Sequence, residues 1–449
     1  MKYDYRELIT YMGMHKLPEG FVEAYELYEP DQEKYLIPRD SYEALLAPYE
    51  IPSEKKRYLD EALDAIEKDE KVLAFSRFFV WDMCSVRNKY DINLYTELIP
   101  NCLGKYNEAY AFLVLLACVP VAEKEMRLRG IPKEYYEDIP HRMMKDQLRR
   151  YINCGKIDVE DMPWKMNFYT LTIFLLDRFL FIPYQFGDPF TMYRSKLTGK
   201  VIGLSDPDLV VDSEGQLVIS KTEDQLQDLS KPHTGYEYAR RDARGTETFV
   251  TTLMETETEV TGYYLNPCGF VENRKVTLLK EEYEVVLKKE DWLIALHIPG
   301  GEGYTPERMR NSMKLALEFY HKYYPELDVK GFWSESWLYD KRLSFLIGKG
   351  KNITNVQEML FCYSGGWDGE MLYVHLFREM EAKLEECICT TSLQKNAKKM
   401  LLKGGRFCST GMIVLTEELK KETSYITEED EKSFFELMKV NGIDGGMIC

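Results

Sequence analysis

Three closely spaced glycines follow a short apolar segment in the C-terminal half of the chain. The segment Trp292–Ile298 is apolar on both alternating faces apart from His297, as expected for a central strand covered on both sides. Gly300, Gly301 and Gly303 follow it after Pro299. Glycines carry no Cβ, so their main-chain N–H groups can approach a phosphate or another anion closely. The spacing therefore predicts an anion-binding loop after a strand.

A helix is expected to begin where the glycines end. Thr305 is a predicted N-cap and Pro306 occupies the first helical position. The pattern predicts a helix from Pro306 to about Tyr323 and a second strand over Val329–Trp337. Such a strand–loop–helix–strand unit crosses over right-handedly within one sheet. The helix N-terminus would then face the same anion.

Positive charge for this anion could come from the first turns of the helix, at Arg308, Arg310 and Lys314. The loop is not a dinucleotide fingerprint, because Pro306 stands where a third glycine is required, and no Gly-Lys-Ser/Thr phosphate loop is present. A plain tight turn would need the same glycines. The residues alone leave the anion site and the turn open.

The composition excludes several classes of function. The chain has 449 residues, of which 58 are Lys or Arg and 75 are Asp or Glu, which gives a net charge of −17. A surface of this charge repels phosphate backbones and anionic lipids, so nucleic-acid and membrane partners are not expected. A local site for one small anion remains compatible with it.

The N-terminus and the cysteines indicate a cytoplasmic protein. The start of the chain has early acidic residues and no apolar core of a signal peptide. The most apolar stretch, Ala109–Ala122, is too short to cross a bilayer. The ten cysteines show no pattern of paired metal ligands, so we expect reduced thiols and no metal.

The spacing of apolar residues divides the chain into regions. Residues 1–150 carry apolar side chains at helical spacing, residues 190–290 are typical of strands and turns, and residues 290–415 alternate strand and helix. The last stretch, Thr427–Asn441, predicts a capped amphipathic helix.

A separate bridge, Phe168–Phe186, is apolar almost all round and is interpreted as a buried, Phe-rich helix. Its one internal charge pair, Asp177-Arg178, is expected to face a polar gap or a partner.

These features occur together in one family. The matching blocks are Gly130-Ile-Pro132, Trp164 with the Phe-rich segment after it, Ile202-Gly-Leu204, Thr261-Gly-Tyr263, Pro267-Cys-Gly269, Leu296-His-Ile-Pro299, Ser312, Ala316 with Phe319-Tyr320, Tyr324-Pro-Glu326, Ser336-Trp-Leu338 with Asp340, Asn352-Ile353 with Gln357, and Thr391-Ser-Leu-Gln394 with Gly404. Over residues 130–415 the chain resembles bacterial acyltransferase-domain proteins that join an N-terminal N-acyltransferase-type helical domain to a C-terminal GNAT-like domain. It departs from them at Ser334, where Cys is usual, at Tyr339, where an aliphatic residue is usual, and in a longer tail.

The resemblance implies an α+β fold with a helical domain over residues 1–150, a GNAT-like mixed sheet with flanking helices over residues 151–415, and a helical extension over residues 416–449. It implies an enzyme that moves an acyl group from acyl-coenzyme A to an amine by direct attack on the thioester, with acyl-coenzyme A as co-substrate. In GNAT folds the loop after the fourth core strand holds the diphosphate. The cofactor-binding residues would then be Ile298, Gly300, Gly301, Gly303, Tyr304, Thr305 and Arg308.

Two residues are the candidates for catalysis. His297 closes the strand beside the loop and would act as the base, directly or through water. Ser336 would protonate the departing thiolate or hold a water. Each also has a structural alternative: His297 as a core residue donating to a carbonyl, and Ser336 as a strand serine bonded to the backbone. Ser312 is expected to bond within its helix or to Ser334 or Ser336.

Two other functions stay open. A binding or sensing module on the same fold would keep the anion loop without a working base. A hydrolase with two carboxylates is disfavoured, because no carboxylate pair lies on an apolar strand.

Overall fold

The computed structural model describes residues 2–14, 20–30, 34–85, 99–157, 159, 161–218, 248–368, 370–378 and 383–442. Contacts divide the chain into two units, the first reaching Leu175 and the second beginning at Leu176. The sequence pattern placed this boundary near residue 150. It lies later because one more helix precedes the first sheet of the second unit.

The first unit is helical. Its helices are α1 (Tyr5–Met12), α2 (Phe21–Leu27), α3 (Arg39–Leu46), α4 (Ser53–Lys68), α5 (Glu70–Ser85), α6 (Tyr110–Leu128), α7 (Ile139–Cys154) and α8 (Met162–Tyr169). The most apolar stretch of the chain forms most of α6, and every residue from Tyr110 to Val119 is buried. No described helix is long and apolar enough to cross a membrane.

Two β-sheets form the frame of the second unit. The strands are β1 (Phe174–Leu176), β2 (Phe179–Gln185), β3 (Phe190–Ser195), β4 (Val201–Ser205), β5 (Val210–Val211), β6 (Phe249–Val250), β7 (Leu253–Glu255), β8 (Glu259–Asn266), β9 (Phe270–Leu279), β10 (Tyr283–Leu287), β11 (Trp292–His297), β12 (Val329–Ser336), β13 (Phe361–Asp368) and β14 (Cys408–Leu415). The first sheet has the order β1-β2-β11-β12-β14-β13, and the second has the order β10-β3-β4-β8-β7 with β9 on β8. Strands β5 and β6 pair separately.

The first sheet is mixed. Strands β11 and β12 run parallel, whereas β2, β14 and β13 pair antiparallel with their neighbours. The two sheets share one core, to which the first contributes Leu293, Phe361, Ile413 and Leu415 and the second contributes Phe190, Met192, Leu265 and Val271. Strands β3 and β4 form a hairpin around Thr198-Gly199.

Seven helices of the described residues flank these sheets. They are α9 (Pro306–Tyr323), α10 (Leu343–Ile347), α11 (Asn352–Gln357), α12 (Glu370–Phe377), α13 (Ser392–Leu402), α14 (Thr416–Lys421) and α15 (Glu428–Val440). The predicted C-terminal helix is confirmed as α15, which Thr427 and Asp430 cap reciprocally. Its Phe434 and Met438 pack in a core with Trp337 and Leu343, so the tail belongs to the second unit.

The predicted Phe-rich helix over Phe168–Phe186 is wrong. Helix α8 ends at Tyr169, and the remainder forms the two strands β1 and β2 with Asp177-Arg178 as the turn between them. A run that is apolar on every side fits a buried strand as well as a buried helix, so periodicity cannot separate the two. The charge pair marked the turn.

Candidate functional site

The predicted unit of strand, glycine loop, helix and strand is present. β11 ends at His297, residues 298–305 form the loop, and α9 leads to β12, which returns parallel to β11. Thr305 caps α9 by accepting a hydrogen bond from the N–H of Arg308 at 3.2 Å. The hydroxyl of Tyr320 donates to the carbonyl of Phe181 in β2 at 3.1 Å and ties α9 to one face of the sheet.

The loop needs two of its glycines for their backbone conformation. Gly301 has φ 115° and Gly303 has φ 92°, in the left-handed region that other residues rarely adopt. A Cβ built on Gly300 or Gly301 would meet no atom within 4 Å. The loop surface at these two residues is therefore open to a ligand.

Five consecutive residues of the loop have main-chain N–H groups that point to no acceptor in the described structure. Within the described parts of the chain, the N–H groups of residues 300–304 donate no hydrogen bond, and the next one, Thr305 N–H, bonds the carbonyl of Gly303 at 3.1 Å. Free N–H groups beside a helix N-terminus form a concave site for an anion. The anion-binding prediction rests on this feature.

Arg178 holds the loop from behind, and the sequence did not identify it as a site residue. From the β1–β2 turn its Nε donates to the carbonyl of Glu302 at 2.7 Å. Its Nη2 donates to the carbonyls of Pro299 at 2.7 Å and Gly301 at 3.0 Å. This charged turn was expected to face a polar gap or a partner, and Arg178 faces the carbonyls of the loop.

Arg308, predicted to contact the anion, is bound to a carboxylate. Its Nε and Nη2 donate to Asp177 at 2.8 and 2.6 Å. This pair, followed by the hydrogen bond from Ser312 at 2.8 Å, holds the pKa of the Asp177 carboxyl below its usual range. The expected partner of Ser312 was wrong, because its hydroxyl bonds Asp177. Main-chain N–H groups, rather than an unpaired arginine, dominate the site.

A gap opens between β11 and β12 beside the loop. Their pairing stops at Ala295 and Trp333. Beyond that point β11 stays with β2 as far as His297, and β12 stays with β14 as far as Ser336. The two strands therefore separate at their carboxyl ends.

His297 lies at this gap. Strand alternation places it on the same face as Leu293, which packs in the core between the sheets. The ring is half-buried, and desolvation lowers the pKa of His297 from 6.5 to about 4. His297 is therefore neutral at pH 7 and can accept a proton, but it is a weak base.

Ser336 lies on the opposite face. Phe332 and Phe181 contact each other on the α9 face, and alternation along β12 places Ser334 and Ser336 there too. The Ser336 Oγ accepts a hydrogen bond from the N–H of Leu338 at 3.2 Å and caps a 3₁₀ turn. The sheet thus does not bring His297 and Ser336 together on one face.

Tyr304, in the loop, carries a buried hydroxyl with no hydrogen-bond partner among the described residues. Its ring meets Phe179 edge-on at 6.3 Å between centroids, and burial raises the pKa of its phenol, which stays protonated. A buried polar group without a partner costs about 1–3 kcal/mol. A ligand that supplied this partner would recover part of that cost.

The face of His297 carries a second titratable side chain that the sequence analysis did not single out. Alternation along β12 places Glu335 on this face, two positions after Trp333. Its carboxylate lies over Gly365, where a Cβ would clash with it. Gly365 in β13 leaves room for this carboxylate, but the sequence indicates this contact only when the strand register is known.

The comparisons with known proteins agree with this architecture. Residues 225–413 match the model of the GNAT-like C-terminal domain family, so the chain carries a GNAT-like domain. The predicted resemblance and the α+β fold class are confirmed. A comparison with curated proteins found no match.

Solved acyltransferases share the fold over 92% of this chain. An acyltransferase in complex with decanoyl-CoA is similar with a TM-score of 0.53, 15% identity and 100% of its own length covered. An acyltransferase in complex with decanoyl-CoA and teicoplanin gives 0.52, 14% and 99%. A mutant acyltransferase in complex with octanoyl-CoA gives 0.53, 13% and 99%. At these identities the likeness establishes the fold.

Proposed function

We propose that this protein transfers an acyl group from acyl-coenzyme A to an amine on a small-molecule acceptor. The observation that carries the proposal is the row of free N–H groups over residues 300–304, at the mouth of the gap between β11 and β12. Diphosphate at the loop would direct the pantetheine arm into that gap. The GNAT-like domain and the acyl-CoA bound to the similar acyltransferases support this donor.

The chemistry requires little beyond positioning. The amine nitrogen attacks the thioester carbonyl and then loses a proton. The carbon–sulfur bond breaks, and the departing thiolate takes up a proton to give the free thiol of coenzyme A. Holding the two reactants together supplies several kcal/mol. A main-chain N–H at the open edge near Ile298 would stabilise the oxyanion.

The two predicted catalytic residues fit opposite sides of one thioester. His297 faces the side from which an amine would attack, and it would take the proton after the nitrogen has become cationic in the adduct. Ser336 faces the α9 side, where the thiolate would leave, as does the loop residue Tyr304. Opposite faces suit one group that removes a proton and another that supplies one.

A binding or sensing role is the second candidate. The weak basicity of His297 and the pairing of Arg308 with Asp177 favour it, because both reduce catalytic power without removing the free N–H groups. Either role would place the protein in the bacterial cytoplasm, where coenzyme A thioesters are made and thiols stay reduced.

One experiment separates the two. The protein is titrated calorimetrically with coenzyme A and with acetyl-, octanoyl- and decanoyl-coenzyme A, and thiol release is then followed with a mixture of primary amines. Binding together with amine-dependent thiol release supports the transferase. Binding without release from any donor favours the sensor, and no binding contradicts both.

Gly301→Ala should weaken coenzyme A binding about tenfold or more. At φ 115° an alanine is strained by about 1–3 kcal/mol, so the loop would relax and turn its N–H groups away. The dissociation constant is measured by calorimetry.

Gly199→Ala is the matched control. Gly199 has φ 74° in the hairpin between β3 and β4, outside the loop, and its added methyl also meets no atom within 4 Å. Equal losses in both variants would show that the conformation at Gly301 does not position the donors.

A further inference from the structure

We infer that Arg178 is a positioning residue for the coenzyme A loop, an inference that rests on the proposed function. Its guanidinium bonds the carbonyls of Pro299, Gly301 and Glu302 at 2.7–3.0 Å. In a planar peptide the carbonyl and the N–H point in opposite directions. A cation that gathers the carbonyls on one side of the loop therefore holds the N–H groups on the other side, towards the ligand.

A guanidinium suits this arrangement better than an ammonium. It presents five N–H donors in a rigid plane, and here two of its nitrogens reach three carbonyls at separate points along the loop. Its Cζ also lies 5.5 Å from the centre of the Phe179 ring, which fixes the plane. Without the cation, three converging carbonyl dipoles would repel one another and the loop would open.

The same turn also fixes the start of α9. Asp177, with φ 59°, receives both bonds from Arg308 and a third from Ser312. The two-residue turn thus connects the loop through Arg178 and the helix N-terminus through Asp177. Both sets of anion-facing N–H groups are fixed relative to one hairpin, so the site is formed before the ligand arrives.

Arg178→Ala should raise the KM for acyl-coenzyme A and the dissociation constant of coenzyme A by about tenfold to a hundredfold. The turnover number should change less than threefold, because Arg178 touches the loop and not the reacting atoms. Arg178→Lys keeps the charge but lacks the planar fork, so it should lie closer to the alanine variant than to the wild type. Millimolar guanidinium ion should partly restore binding in Arg178→Ala and leave Arg178→Lys unchanged.

Hydrogen–deuterium exchange of the ligand-free protein tests the positioning without coenzyme A. In Arg178→Ala the N–H groups of Arg308 and Met309, which bond Thr305 in the wild type, should exchange at least threefold faster. Exchange in α15 should be unchanged. Arg149→Ala, at a side chain that is 70% exposed, is the control and should match the wild type in every measurement.

The outcomes separate the two claims. Wild-type affinity for coenzyme A in Arg178→Ala, or unchanged exchange at the start of α9, would overturn the positioning role while the proposed function stood. A wild type that binds no coenzyme A would overturn the proposed function, and the exchange rates would still decide whether Arg178 orders the loop. If Arg178→Ala does not fold, the comparison of Arg178→Lys with the wild type decides the same question.

Discussion

His297→Ala should lower the turnover number at least about a hundredfold and leave the dissociation constant of coenzyme A within twofold of the wild type. A positioned proton acceptor contributes about 10²–10⁴ to the rate. The ring lies at the gap between β11 and β12, whereas the N–H groups proposed to bind the diphosphate belong to residues 300–304. Loss of the ring should therefore affect the chemical step and not the binding of the donor. Single-turnover kinetics with saturating acyl-coenzyme A measure it.

The pH dependence follows from the direction of the shift. Desolvation lowers the pKa of His297 to about 4, so the neutral ring predominates from about pH 5 upwards. The acid limb of the wild-type profile should then fall near pH 4 and not near pH 6.5. The same shift makes the free energy of unfolding depend on pH, because the folded state disfavours protonation of His297. The contribution of neutral His297 to this free energy is fully present above pH 6.5 and is lost as the pH falls towards 4.

His321→Ala is the matched control, because His321 is exposed on α9. It should retain wild-type turnover and an unchanged profile. An acid limb near pH 6.5 that survives in His297→Ala, or full turnover in that variant, would assign His297 a purely structural role.

Local signals explain why the central unit of the site could be predicted. Apolar residues over β11, the glycines after it and the Thr305-Pro306 start of α9 all act within a few residues of one another, so each element follows from its own segment. The capped helix α15 was predictable for the same reason.

Distant contacts explain what could not be predicted. Arg178 lies more than 120 residues before the carbonyls that it binds, and no pattern within either segment indicates the other. The face of each catalytic candidate depends on the register of β11 against β12. The sequence fixes alternation within a strand but not the alignment of two strands joined by a helix, so the placement of His297 and Ser336 on opposite faces required the structure.

The net charge of −17 affects which anions can reach the site. Arg308 is paired with Asp177, and Arg178 donates hydrogen bonds to three carbonyls of the loop. In the proposed function the loop would therefore attract its anion through N–H dipoles, which act over a short range. A long nucleic acid would still meet the repulsion of the whole surface, whereas one diphosphate at the loop would meet donors directly.

Arg342→Met should lower the free energy of unfolding of the second unit by about 3–5 kcal/mol. Arg342 is 3% exposed and bonds two buried carboxylates, Glu214 at 2.9 Å and Asp340 at 3.3 Å. Arg406 bonds the same Glu214 oxygen at 2.9 Å, and Asp340 accepts the N–H of Cys408 at 2.8 Å. Methionine fills much of the volume, but it leaves three buried carboxylates, those of Asp212, Glu214 and Asp340, with Arg406, which bonds the first two.

Urea denaturation followed by circular dichroism measures this loss, with Lys330→Met as the matched control. Lys330 pairs with Asp328 at 2.6 Å on the surface, where the side chains are 37% and 82% exposed. Water and salt screen such a pair, so its removal should cost less than about 1 kcal/mol. If both variants lost the same small amount, the buried carboxylates would have to be neutral or hydrated in the folded protein. The ion pairs of Arg342 would then contribute little to holding Glu214 against the segment that follows β12.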